Sequence, residues 1–230
     1  MAYPFASAPT IAERVALGLG LNRVEGGAIV PIPDKWHPDL IQQTSTPGAK
    51  HMLHQLVCEG WAFSRLDFYF DEEGRRIAGA LRMDHPEQGK KVLPVRSSRA
   101  LGMNPFAEIK ALEAPRPIYN LHHLAARLDA PVLMVEGEKA AEAGTALFPD
   151  HVVTTWLGGA QGVANADLRP LAGRDVTIWP DNDEDGLSAA DKLGPLLADV
   201  AAASVRVVKM PAYFPRKWDV ADAVPDEQRG

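Results

Sequence analysis

Acidic side chains follow two short apolar runs in the C-terminal half of the chain. Glu136 comes directly after residues 132–135, and Asp181 and Asp183 come shortly after residues 176–179. Short β-branched runs followed by helix-compatible stretches are typical of parallel strands buried on both faces. The carboxyl ends of such strands form the ligand crevice of an open α/β sheet. Carboxylates at two of these ends could share a Mg²⁺ ion and polarise a phosphate, so the pattern indicates phosphoryl transfer.

The acidic turn at residues 181–186 has two other interpretations. It matches the first half of a calcium-binding helix–loop–helix loop, but that loop needs a bidentate Glu at its twelfth position. This chain has Lys192 there, which excludes the calcium loop. The aspartates could instead be turn formers and helix caps. We favour a metal site because a third acidic stretch, residues 217–222, follows the last predicted strand, and like charges packed together are costly unless a cation neutralises them.

The elements that must position these acids form an alternating pattern from Pro131 onward. We predict strands at 132–135, 152–155, 176–179 and 205–208, and helices at 139–147 and at about 187–200. This alternation predicts a parallel sheet flanked by helices. The glycine-rich loop at 157–162 could present backbone N–H groups to a phosphate, or it could be a plain structural turn.

The preceding part of the chain predicts a smaller α+β subdomain. A hairpin of strands 63–70 and 76–83, with a turn-like Asp-Glu-Glu-Gly between them and a third strand at 91–95, indicates antiparallel structure. Residues 96–117 are predicted to be irregular and 119–128 helical. Upstream we predict helices at Ile11–Leu19 and at about 48–58. The predicted domains are therefore a helical or irregular N-terminal segment at 1–60, the α+β subdomain at 61–128 and the parallel-sheet domain at 129–230.

Composition limits the class of protein. The chain has 230 residues, 46% hydrophobic and 23% charged, as in an ordinary globular protein. No apolar run approaches the roughly 20 residues that span a bilayer, and residues 1–10 lack the pattern of a secretory signal. The single cysteine, Cys58, excludes an internal disulfide framework and a multi-cysteine zinc site. We therefore expect a cytoplasmic protein without a membrane partner.

The net charge of −6 argues against broad, nonspecific nucleic-acid binding. Residues 65–116 nevertheless carry a slight basic excess, and residues 117–230 carry a strong acidic excess. That asymmetry suits a surface that contacts a phosphate backbone together with a metal site. An ordinary solvated charge pattern explains it equally well.

The acidic motifs resemble those of the Toprim domain, the catalytic module shared by DnaG-type primases, type IA and type II topoisomerases and several nucleases. Glu136-Gly137 is similar to the Glu-Gly at the end of its first strand. Asp181 and Asp183, with Gly186 downstream, are similar to its Asp-x-Asp motif. Asp219 and the nearby Asp222 match the third acidic position loosely.

Three upstream stretches resemble the primases within this family. Residues 74–82 look like a glycine-led hairpin that ends in a basic residue, residues 91–93 resemble a Lys-Tyr-Leu, and residues 118–121 resemble a Leu-Tyr-Gly-Leu. The resemblance covers roughly residues 65–225. It implies the two-part primase catalytic core, as found in primase-like proteins of phages, plasmids and integrated elements.

The resemblance implies specific roles. Mg²⁺, or Mn²⁺ in its place, would be held by Glu136, Asp181, Asp183 and Asp219, and Glu136 could also accept the proton of an attacking hydroxyl. The residues implied to contact nucleic acid or nucleotide are Arg82, Lys91, Arg116, Lys139 and Lys217. The implied partners are a single-stranded DNA template and nucleoside triphosphates. A helicase or a zinc-binding module, in trans or in a longer chain, is a further implied partner. A single cysteine, Cys58, cannot form the zinc module that helps primases to select a template.

Two other functions are compatible with the same residues. A Toprim nuclease would use the metal site to activate water, but it gives no reason for the primase-like stretch at 74–93. A noncatalytic single-strand-binding or helicase-accessory module would bind nucleic acid without metal.

Overall fold

The computed structural model describes residues 31–37, 41, 45–98, 105–211 and 213–224. Within these residues the chain divides after Pro117 into two compact units. The predicted helix at Ile11–Leu19 lies outside the described residues. The predicted domain limits at 60 and 128 remain predictions.

The unit that precedes Ile118 contains one four-stranded antiparallel sheet. Its elements are α1 (Pro47–Cys58), β1 (Ala62–Phe70), β2 (Arg76–His85), β3 (Gly89–Ser98) and β4 (Phe106–Ile109), and the strand order is β1-β2-β3-β4. The predicted hairpin and third strand are confirmed. Strand β4 corrects the prediction that residues 96–117 are irregular. It forms because β3 supplies a partner for so short a segment, with Val95 opposite Ile109.

One face of this sheet carries the core of the unit. Leu81, Met83 and Val95 point to that face and pack with Leu53 and Leu56 of α1. Helix α1 begins with Pro47 at its first position, and the Thr46 side chain accepts a hydrogen bond from the backbone N–H of Ala49. Both features favour a helix start.

The unit from Ile118 onward contains a four-stranded parallel sheet. Its strands are β5 (Val132–Val135), β6 (Val152–Thr154), β7 (Asp175–Trp179) and β8 (Ser204–Val207), in the order β6-β5-β7-β8. Its helices are α2 (Leu121–Ala126), α3 (Glu138–Leu147), α4 (Gly159–Gly162) and α5 (Glu184–Asp199), with single 3₁₀ turns at Val163–Asn165 and Arg169–Leu171. The predicted parallel sheet flanked by helices is confirmed, so the chain is a mixed α/β protein. The glycine-rich loop contains one helical turn, α4, which the sequence pattern did not predict.

Two apolar cores enclose the parallel sheet. Val132 and Met134 of β5 pack with α5, whereas Leu133 and Val135 pack with α3. All four residues of β5 are buried, as expected for a strand covered on both faces. In the described part of the chain, no helix is long and apolar enough to cross a membrane.

Candidate functional site

Glu136 lies at the carboxyl end of β5. Its side chain is half-buried, and its Oε2 is shielded from solvent. Gly137 follows with a φ of 90°, and its backbone N–H donates to Thr155 Oγ1 at 2.9 Å. This hydrogen bond joins the residues that follow the ends of β5 and β6.

The glycine-rich loop packs against Glu136. Gly158 and Gly159 have φ values of 101° and 55°, a region that side chains with a Cβ rarely adopt. A Cβ placed on Gly159 would lie 3.7 Å from Glu136 Oε1. The loop therefore approaches the carboxylate as backbone, without an intervening side chain at Gly159.

The Asp181–Asp183 turn lies at the end of the neighbouring strand, β7. Val135, the last residue of β5, is paired with Trp179, the last residue of β7. Glu136 is thus one residue, and Asp181 two residues, beyond a paired position of adjacent parallel strands. Both carboxylates therefore lie at strand ends, as predicted, and the structure shows that the two strands are neighbours.

Asp183 is also the N-cap of α5. Its Oδ1 accepts a hydrogen bond of 2.9 Å from the backbone N–H of Gly186. The helix-cap interpretation therefore describes part of what Asp183 does. Gly186 is required for a different reason, since a Cβ there would lie 2.4 Å from the Asp181 carbonyl oxygen. The glycine of the Asp-x-Asp-x-x-Gly pattern lets α5 begin against the Asp181 backbone.

The segment 213–222 crosses the same end of the sheet. The backbone of Asn182 pairs with that of Trp218 at 3.0 Å and with that of Lys217 at 2.9 Å. Farther along, Val220 is buried against β5 and α3. Lys139 Nζ in the first turn of α3 lies 3.7 Å from Asp222 Oδ1. The third acidic stretch is thereby held beside the elements that follow Glu136 and β7.

Asp219 and Asp222 are engaged within their own turn. Asp219 Oδ1 accepts from the Ala221 N–H at 2.6 Å, and Asp222 Oδ2 accepts from the Asp219 N–H at 3.0 Å. Among the described residues no three His, Cys, Asp or Glu side chains are grouped closely enough to hold a metal ion. The structure therefore brings the predicted acids to one end of the sheet without assembling them into a complete metal cage.

The basic residues predicted in the antiparallel unit do not form one cluster. Arg82 is paired across the sheet with Val92, whereas Lys91 is paired with the buried Met83. Because successive residues of a strand point to opposite faces, Arg82 and Lys91 lie on opposite faces of this sheet. Lys91 Nζ lies 4.1 Å above the Trp61 ring.

Two arginines on the face of the sheet that carries Arg82 form ion pairs with carboxylates whose pKa values are lowered. Arg82 Nε lies 2.9 Å from Asp84 Oδ1. Hydrogen bonding from Ser64, followed by that from Arg82, keeps the pKa of Asp84 below its usual value. The Ser98 hydroxyl and then Arg96 likewise lower the pKa of Glu108. These arginines are neutralised at rest, so a phosphate would have to compete with a carboxylate for them.

Arg116, the third predicted cation of this unit, is also locally bound. Its Nε donates to the Leu112 carbonyl at 2.9 Å. Arg116 thus has a structural contact in its own loop, and its role in binding stays a prediction.

Asn182 was not among the site residues predicted from the sequence. Its side-chain amide donates to the carbonyls of Phe214 and Pro215 at 2.9 and 2.8 Å. In the sequence, an asparagine between two aspartates does not by itself indicate a structural or functional role. Its partners lie more than thirty positions away along the chain, and only the fold identifies them.

Comparison with solved structures finds primase catalytic domains. The primase fragment of the bacteriophage T7 primase-helicase protein is 16% identical with a TM-score of 0.39, over 70% of this chain and 59% of that one. A DNA primase domain from Pseudomonas aeruginosa is 18% identical with a TM-score of 0.41, over 74% of this chain and 54% of that one. The E. coli primase catalytic core is 14% identical with a TM-score of 0.41, over 76% of this chain and 56% of that one.

These structures belong to the class of protein that the sequence motifs resemble, but their similarity is too low to assign an activity. This chain spans less than two thirds of each of them. The Toprim assignment itself stays a prediction. No curated protein matches the chain.

One family model does match. It covers residues 59–182, from the start of the antiparallel sheet to the Asp-x-Asp turn, which is more than half of the chain. The chain therefore belongs to the family of the domain of unknown function DUF6371.

Proposed function

We propose that this protein catalyses metal-dependent phosphoryl transfer on nucleic acid, and that the reaction is synthesis of a short RNA primer on single-stranded DNA. One observation carries the proposal: Glu136 and Asp181 follow two strands, β5 and β7, that are adjacent, parallel and paired to their last residues. We propose primer synthesis as the reaction because the Glu-Gly and Asp-x-Asp motifs occur in the same order as in Toprim primases and resemble theirs.

The donor atoms at this end of the sheet suit Mg²⁺. They are carboxylate oxygens, the ligands that Mg²⁺ prefers, and Mg²⁺ is commonly held by one or two carboxylates together with water and substrate phosphates. Glu136, Asp181 and Asp183 would hold the ion, with Asp219 as a further ligand. When bound, Mg²⁺ would neutralise negative charge on the reacting phosphate. An incomplete protein cage fits this mode, because the substrate provides the remaining ligands.

The residues of the chain would act around that ion. Glu136 is the candidate acceptor for the proton of the attacking 3′-hydroxyl, because its carboxylate is half-buried beside a backbone loop. Asp183 would keep its bond to the Gly186 N–H and use its remaining oxygen. Lys139 and Lys217 would contact nucleotide phosphates, Lys139 by exchanging Asp222 for a phosphate oxygen.

The antiparallel unit would contact the template backbone. Arg82, Lys91 and Arg116 are the candidate residues, and each would leave an existing contact to bind phosphate. Such contacts make binding dependent on salt and confer no sequence preference. A helicase or a zinc-binding module would assist in template selection.

Primer synthesis from nucleoside triphosphates on single-stranded DNA, with Mg²⁺ or Mn²⁺, tests the proposal. We expect Asp181→Asn and Glu136→Gln each to lower the rate by about 100-fold or more, since each weakens the binding of a metal ion whose charge is worth several kcal/mol at the reacting phosphate. The matched control is Asp199→Asn, an exposed aspartate at the far end of α5, which should retain full activity.

Three results would contradict the proposal. Activity that survives Asp181→Asn combined with Asp183→Asn would refute the site. Cleavage of nucleic acid without added nucleotides would favour the nuclease. Binding of single strands that is equal in EDTA and in Mg²⁺, with no synthesis, would favour the noncatalytic module.

A further inference from the structure

An exposed aromatic and basic segment lies next to the Asp-x-Asp turn. We call Tyr213–Trp218 the aromatic–basic segment. Tyr213 is 52% exposed. Its ring centroid lies 5.0 Å from that of the half-buried Phe214, which in turn lies 4.6 Å from that of Trp218. Trp218 is buried, and its ring lies 6.2 Å from that of Trp179 at the end of β7.

The rings therefore form a continuous series from the surface to the sheet. The buried Trp218 is the anchor, and the exposed Tyr213 is the outer end. Packing of Trp218 explains why the segment is fixed to the sheet, but Tyr213 adds little to that core because half of its surface faces solvent. An exposed aromatic ring that is in contact with a second ring is suited to stack on a flat ligand.

Asn182 holds the segment in place. Its side-chain amide donates to the Phe214 and Pro215 carbonyls, and its backbone pairs with Lys217 and Trp218. Four hydrogen bonds at one residue thus fix the segment relative to the two aspartates that flank Asn182 in the sequence.

Two cations complete the segment. Arg216 and Lys217 are exposed, and within the described residues neither forms an ion pair. This differs from Arg82, which is paired with a carboxylate. Exposed cations beside an exposed ring match the two chemical parts of a nucleotide, its phosphate and its base.

We propose that the aromatic–basic segment binds nucleobases that carry phosphate: Tyr213, supported by Phe214, stacks on a base, Arg216 and Lys217 contact the adjacent phosphates, and Asn182 is the positioning residue. The ligand class rests on the proposed function. The base is supplied by a single strand or by a free nucleotide, which share this chemistry.

Binding of a short fluorescent oligothymidine in EDTA, followed by anisotropy, tests the proposal without any catalytic step. Tyr213→Ala should weaken binding by about 5- to 150-fold, because stacking on one base is worth about 1–3 kcal/mol. Tyr213→Phe should bind within about twofold of the wild type. Leu147→Ala, a truncation of a side chain that is 61% exposed at the end of α3, is the control and should also be unchanged.

An abasic strand of the same length separates the base from the phosphate. It should bind wild type and Tyr213→Ala equally. Replacing Arg216 or Lys217 by Gln should reduce the slope of log affinity against log salt by about 0.7 for each phosphate that is no longer neutralised. Competition by free nucleoside triphosphate identifies the source of the base: a Tyr213-dependent displacement of the labelled strand indicates that nucleotides use the same position.

A double-mutant cycle tests Asn182 as a positioning residue. Asn182→Ala should weaken binding of the base-bearing strand more in the wild type than when Tyr213 is already Ala, because the stacking contact is then already lost. A general decrease in stability would instead weaken both backgrounds equally.

The results distinguish this proposal from the proposed function. Equal binding of oligothymidine by wild type and Tyr213→Ala overturns the stacking proposal, even if primers are synthesised. The same holds if the wild type binds no strand. Tyr213-dependent binding in EDTA without Mg²⁺-dependent synthesis supports stacking and overturns primer synthesis.

Discussion

Gly186→Ala is the substitution that most directly tests how the Asp-x-Asp turn is built. The added Cβ would lie 2.4 Å from the Asp181 carbonyl oxygen and 2.8 Å from the Asp181 backbone nitrogen. Ordinary contact begins near 3.4 Å, so Asp181 and α5 must separate by about 1 Å. Both partners are backbone, and no side-chain rotation can relieve the contact.

The expected cost follows from two opposing terms. Overpacking of this kind destabilises a protein by about 1–3 kcal/mol. Replacing glycine by alanine in a helix stabilises the folded state by about 0.5–1 kcal/mol. We therefore expect Gly186→Ala to lower the free energy of unfolding by about 1–2 kcal/mol. Activity should fall more steeply, by about 100-fold, because a displacement of 1 Å in a positioning element costs about that much in rate.

Gly48→Ala is the matched control. Gly48 also lies in the first turn of a capped helix, α1, is exposed, and has no atom within 4 Å of an added Cβ. The substitution should raise stability by about 0.4–1 kcal/mol through the unfolded state. Urea unfolding and Mg²⁺-dependent primer synthesis measure the two effects. If Gly186→Ala is as stable and as active as Gly48→Ala, the close contact with Asp181 does not control the turn.

Three further predictions concern stability, pH and the dual role of one acid. Arg174 is buried and donates hydrogen bonds to three backbone carbonyls. Arg174→Met should therefore lower the free energy of unfolding in urea by about 3 kcal/mol or more, whereas Arg206→Met, at an exposed position, should change it little. The pKa of Glu108 is lowered in the folded state, so its contribution to stability is present at neutral pH and is lost as pH falls below about 4.5. Ser98→Ala should raise that pKa and shift acid unfolding, followed by circular dichroism, to higher pH; an unchanged midpoint would contradict this. Asp183→Asn should preserve the helix cap and the stability of the protein while lowering activity about 100-fold. Asp183→Ala should lower both stability and activity. If Asp183→Asn is as active as the wild type, Asp183 acts only as a helix cap.

The sequence predicted the strands of the parallel sheet well because their signal is local. Residues 132–135 are apolar and rich in valine, and a strand buried on both faces needs that composition. The positions of Glu136 and Asp181 follow from the same local signal, because a polar residue that ends such a run must leave the core at the carboxyl end of the strand. Strand β4 lacked this signal, since a short edge strand of four residues depends on the partner that β3 supplies.

Register was decided by the tertiary structure. The sequence predicts that Arg82 and Lys91 lie on strands of the antiparallel sheet. The face of the sheet on which each side chain lies depends on which residues are opposite each other in neighbouring strands. A shift by one residue would exchange the faces of a whole strand. The pairing of Arg82 with Val92 puts the two cations on opposite sides.

Local pattern by itself predicted a parallel sheet with acids at the carboxyl ends of its strands, and the structure decided that the two strands concerned, β5 and β7, are neighbours. Only the tertiary structure decided what surrounds those acids. Gly186 is required because α5 begins against the Asp181 backbone, and Asn182 matters because a segment about thirty residues later returns to it. Both depend on contacts between parts of the chain that no local periodicity connects, and such contacts exist only once the sheet has brought them together.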